Sequence, residues 1–130
     1  MPRTSERGAV AVEFAIVAPV LVMLLLGIME FSRAYNAQAT LSAAAREAVR
    51  VMAISNSPTD AKNAAKAAAA SLRPGLEDAK IVFTNLSVPT SATCAAGTQI
   101  GVTITYTQST LTGIAGAFPM TGKGAMLCGG

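Results

Sequence analysis

From Ala9 to Met29 the chain carries no charged residue except Glu13. The eight residues before this run are polar, with Arg3 and Arg7 among them. As a helix, Ala9 to Met29 spans roughly 31 Å, the hydrocarbon thickness of a bilayer. A removable signal has a shorter apolar stretch and a small-residue cleavage site at its far end. Gly27-Ile28-Met29-Glu30 has no such pattern, so the run reads as an anchor. No glycine or proline separates Glu30 from Ala53, and the helix is expected to continue as a stem. Phe31, Ala34, Gln38, Leu41, Ala45, Ala48 and Met52 recur at steps of three and four, a heptad stripe with one polar member. A helix from Ala9 to about Ala53 would be roughly 67 Å long and stand clear of the bilayer. Pro19 is expected to kink or loosen it, since proline removes one backbone bond.

Ser55 to Asp60 breaks the pattern. Ser57 suits an N-cap, Pro58 the first helical position, and Asp60 the first turn. A second helix is predicted from there through Leu72, ending at Arg73-Pro74-Gly75, with Lys62 and Lys66 facing water. Beyond it the period changes to two. Lys80 to Leu86 is strand-prone, and Ile100, Val102, Ile104 and Tyr106 alternate with Gly101, Thr103, Thr105 and Thr107. A weaker third strand is predicted from Lys123 to Cys128. Leu111 to Met120 reads as an apolar loop or one helical turn, first as a lid on the core and second as a contact with a partner subunit. The fold class is therefore α+β: a long N-terminal membrane and stem helix, a second packed helix and a small antiparallel sheet of about three strands. The domain plan is a polar segment at 1–8 (the leader that a resemblance given below implies), a membrane helix at 9–29, a stem at 30–56 and an exported domain at 57–130.

Composition narrows the chemistry. The chain has 130 residues, a net charge of +3 and no histidine, so the commonest general base and metal ligand are both missing. Past the stem the acids are only Asp60, Glu77 and Asp78. No phosphate loop, metal-ligand spacing or nucleophile–base set occurs, and neither catalysis, a cofactor nor a metal site is expected. Basic residues are scattered rather than clustered with aromatics, which argues against nucleic acid as a partner. The two cysteines, Cys94 and Cys128, read as a disulfide in an exported domain. That bond would close a loop of about 34 residues and contribute roughly 3–4 kcal/mol.

Arg3 and Arg7 ahead of the span favour a cytoplasmic N-terminus. Glu13 is the anomaly. A carboxylate within an apolar span costs on the order of 2.5–3.5 kcal/mol if placed centrally, unless it reaches the headgroups or finds a positive partner. Arg7 and Gly8, then Ala9-Val10-Ala11-Val12, then Glu13 and Phe14 resemble the prepilin-peptidase site of type IV pilin-like proteins. The resemblance implies a cut between Gly8 and Ala9, often followed by methylation of the new amine. It also implies that Glu13 neutralises the amine of a neighbouring subunit. Gly8, Glu13, Pro19, Gly27, Glu30, Ala45, Arg46, Glu47, Ala48 and Arg50 together are similar to the TadE-like family, minor pilins or pseudopilins of the tight-adherence (Flp) system. Major Flp pilins are shorter and usually carry Glu-Tyr, so Glu13-Phe14 and the C-terminal domain point to the minor class. The partners so implied are prepilin peptidase, other pilin subunits, the inner-membrane assembly platform and the lipid bilayer. The location implied is the bacterial inner membrane, with a periplasmic C-terminal domain. The competing reading is a single-span anchored periplasmic binding or scaffolding protein, which leaves the spacing of Gly8 and Glu13 unexplained.

Overall fold

The computed structural model describes residues 4–129; the start of the expected leader, with Arg3, lies outside the described residues. Helix α1 runs Thr4–Ser55 and α2 Pro58–Ala68. A 3-10 turn at Asp78–Lys80 leads into strands β1 (Ile81–Asn85), β2 (Gln99–Ser109) and β3 (Ala117–Leu127). The strands form an antiparallel sheet in the order β1-β2-β3, so the α+β expectation holds. The chain divides into two compact units, the first ending at Arg33 and the second beginning at Ala34.

In the first unit α1 runs on through Pro19, and its side chains from Glu6 to Met29 are exposed apart from a half-buried Ala18. In the second unit α1 buries Leu41, Ala44, Ala45, Ala48, Val49 and Met52. This stripe is wider than a two-position seam and forms the face of an ordinary core. Phe31, expected on the stripe, is exposed; the buried face starts at Ala37. The helix stops at Asn56, which takes a left-handed φ of 49° and donates its N–H to Met52 O at 3.0 Å. Asparagine tolerates that conformation better than most residues, and the turn satisfies a terminal carbonyl.

Ser57 caps α2, accepting the Asp60 N–H at 3.3 Å, with Pro58 at the first position. The helix ends at Ala68, earlier than predicted. Tighter turns follow, with the N–H of Ala70 on Ala67 O and that of Leu72 on Ala69 O. They carry Ala69 and Leu72 into the core, which a straight continuation of the alanine run did not anticipate. Lys66 does not simply face water, because its Nζ meets Asp78 Oδ1 at 2.7 Å.

β2 buries Ile100, Val102, Ile104 and Tyr106, as the alternation predicts. β3 pairs with it along its whole length, from Gln99↔Leu127 to Ser109↔Ala117. The third strand is thus longer than Lys123 to Cys128, and its first residues come from the stretch read as a loop. The correction has a physical source. Gly122 and Gly124 face Ile104 and Val102 across the ladder, where a strand normally shows bulky side chains. A Cβ on Gly122 would lie 2.6 Å from Leu41 O, and one on Gly124 would lie 2.9 Å from Ala45 O. The α1 backbone therefore rests directly on β3, and Gln38 Nε2 donates to Thr121 O at 3.0 Å beside the contact. Glycine in a strand often marks such close approach. The remaining loop, 111–116, is exposed, so it is not a lid.

Candidate functional site

The candidate site lies on the first unit of α1. Arg7, Gly8 and Ala9 are consecutive helical residues, all exposed. A Cβ on Gly8 would meet nothing within 4 Å, so this glycine is not needed for packing within the described chain. Glu13 is exposed one turn further on. Val10, Phe14 and Val17 flank it at helical spacing and form a shallow apolar surface with it. Among the described residues no side chain pairs with the Glu13 carboxylate. Glu30 and Arg33 pair on the same helix, with Arg33 Nη1 4.0 Å from Glu30 Oε2.

This α1 segment is long and apolar enough to cross a membrane, and none of its most apolar window is buried. Val12, Ile16, Val20, Met23, Leu24 and Ile28 are all exposed, so no side of the helix is spared contact with its surroundings. An apolar surface of that extent is stable only against lipid or other apolar helices. A carboxylate set in it needs a cation or water close by.

Residues 8–50 match the family model described as TadE-like protein. This segment is TadE-like. The match covers 43 of the 130 residues and lies on a helix that is a candidate membrane anchor near the N-terminus. Comparison with curated proteins and with solved structures gives no match. The TadE-like match holds Gly8, Ala9, Glu13 and Phe14, with Arg7 just ahead of it, and continues to Arg50 on the second unit. There Arg50 clasps Glu47 through two hydrogen bonds of 3.1 and 2.7 Å. Those bonds hold the Glu47 carboxyl below its ordinary range and raise the guanidinium. Both groups stay exposed, and their link stiffens the helix surface.

Cys94 and Cys128 are joined by a disulfide with their Cα atoms 5.5 Å apart. The bond ties the loop between β1 and β2 to the end of β3. Sequence reasoning missed Asn85, the residue that shapes this loop. It is 2% exposed and uses both ends of its amide. Oδ1 accepts the N–H groups of Ser87 and Val88, each at 2.9 Å, while Nδ2 donates to Thr93 O and Thr98 Oγ1, each at 3.0 Å. Asparagine at the end of a β-run with serine two residues on is a turn signal and would have found it. The triplet Asn85-Leu86-Ser87 has the form of a glycosylation acceptor, but its amide is engaged in the fold. Asn56 performs a similar service, its Oδ1 accepting the Cys94 N–H at 2.8 Å. Among the described residues no three potential metal ligands come together.

Proposed function

We propose that this chain is a minor pilin or pseudopilin, a structural subunit for assembly of the Tad (Flp) pilus, and that it has no catalytic role. Prepilin peptidase removes residues 1–8 by cutting between Gly8 and Ala9. The anchor then holds the subunit in the inner membrane, N-terminus cytoplasmic and C-terminal domain exported, until the assembly platform and other subunits take it up. The observation that carries this reading is Glu13: a carboxylate with no paired side chain among the described residues, on an apolar helix, five residues after Gly8 and within a TadE-like match. A new amine on Ala9 of a neighbouring subunit is the cation that this position calls for. In a low-dielectric bundle such a pair offsets two charges that would each be costly alone.

Intact mass of the protein from its native membrane tests the proposal. The expected mass lacks Met1 to Gly8, with or without a methyl group on Ala9. Because space is open around Gly8, Gly8→Trp should block the cut without a clash inside the chain. A full-length chain that works normally would sink the pilin reading and favour an anchored scaffolding domain.

A further inference from the structure

Gly8 is a glycine that the fold does not call for. The backbone there is helical, with none of the positive φ values found at Gly97, Gly113, Gly116 and Gly129. A Cβ would meet nothing within 4 Å, whereas one on Gly122 or Gly124 would strike the α1 backbone. Where neither reason applies, glycine inside a helix weakens it. The helix nevertheless continues across this point. α1 runs Thr4–Ser55, so the bond between Gly8 and Ala9 lies within it.

Hydrolysis of that bond requires the peptide to leave the helix. Water adds its hydroxyl to the Gly8 carbonyl carbon and its proton to the Ala9 nitrogen, which leaves a carboxyl group on the leader and an amine on the anchor. The carbonyl oxygen must meanwhile be met by donors from the peptidase. In the helix that oxygen already accepts the N–H of Val12, four residues on, and the Ala9 N–H is given to the Ser5 carbonyl. The two sides of the bond differ in how readily they open. Ahead of it Thr4 and Ser5 are weak helix formers, and Glu6 and Arg7 are exposed, so water can replace their intrahelical bonds. Beyond it Ala9 to Met29 is apolar apart from Glu13, and in lipid a backbone has no partner but its own helix. The weak stretch ends at Gly8.

We infer that Gly8 sets the rate of leader removal by letting the start of α1 unwind as far as Ala9, so that the peptidase acts on the opened helix. The inference rests on the reading of Gly8–Ala9 as the cut site and concerns how that bond is reached. Unwinding this far puts the start of the helix where the cut product has it, with the N–H groups of Ala9 to Val12 as its unpaired first four. Helices open and close in about a microsecond or less, whereas an enzyme turnover takes about a millisecond or longer. Cutting therefore follows the population of the open form, and that population falls with every gain in helix propensity ahead of Ala9.

Two rates measured on the full chain test this. Pulse-chase in the native host gives leader removal, scored on chains whose Cys94–Cys128 bond has formed and which have therefore been exported. Hydrogen exchange of the Ala9 amide, on uncut chain in detergent, gives opening. Gly8→Ala adds only a methyl group, into open space, and should slow both rates about fivefold. Adding Glu6→Gly weakens the same stretch of helix without touching the scissile bond, and should recover about two- to threefold of each. A peptidase pocket that merely demands glycine would give no such rescue. Cutting that is lost while exchange is unchanged would overturn the inference, as would exchange restored by Glu6→Gly without cutting. If the wild-type chain is cut after Gly8 while the variants fail to follow exchange, only this inference fails. A wild-type chain that keeps its leader defeats the pilin reading and this inference with it.

Discussion

Gly122 is the most tightly seated of the described glycines in the second unit. With 2.6 Å between its Cβ position and Leu41 O, a backbone atom must move to admit even a methyl group. Gly122→Ala is expected to destabilise the fold by about 2–3 kcal/mol, read as a fall in the denaturant midpoint. Gly101→Ala should cost less, because its neighbour is the flexible end of Leu86. Asn85→Ala removes four part-buried hydrogen bonds that hold the loop between β1 and β2. The expected loss is about 2–3 kcal/mol, with faster hydrogen exchange between Leu86 and Thr98 as its local signature. Unchanged exchange there would show that the loop holds without the amide. Glu13→Ala answers to a different assay. Leader removal and membrane insertion should be retained while incorporation into assembled pili falls, and equal incorporation would mean that the carboxylate merely reaches the headgroups.

At the scale of elements, α2 is held to the turn before β1 by Lys66 and Asp78. The hydrogen bond from Lys66 lowers the Asp78 carboxyl below its ordinary value, with the charges of Lys66 and Lys62 acting in the same direction against some desolvation. The folded value lies beneath the unfolded one, so this stabilisation is present above the ordinary carboxylate range. It is lost as pH falls through the folded value. Lys66→Met should therefore lower the neutral plateau of a stability-versus-pH curve slightly, because the pair is exposed, and leave the acid end unchanged, so that the limb between them becomes shallower. The same scale explains which elements were legible beforehand. α1 announces itself by its apolar length and by the three-and-four spacing along its stem, and β2 by the alternation of Ile100, Val102, Ile104 and Tyr106 with glycine and threonines. β3 does not, because its inner positions include Gly122 and Gly124 and its outer ones include Pro119 and Lys123. Such a pattern has no hydrophobic period, and the strand exists because a well-formed β2 templates it.

For the whole molecule, the disulfide closes the loop from Cys94 to Cys128 across a separation of 34 residues. Cys94→Ser should lower stability by about 3–4 kcal/mol, and Cys128→Ser equally, which thermal denaturation of the full chain in detergent would show. A much smaller loss would mean that Asn56 and Asn85 already hold the loop. The sequence by itself determined the membrane-length helix, the isolated carboxylate at Glu13, the TadE-like motif around it and the pairing of the only two cysteines. Each of those depends on residues close in the chain, or on there being no other candidate. Only the tertiary structure decided that Gly122 and Gly124 are a seat for α1, that Asn85 is buried, and that Leu111 to Phe118 stands out in solvent. Glycine, asparagine and a short apolar run have no fixed environment of their own, and what they do is set by neighbours brought to them from α1 or the partner strand.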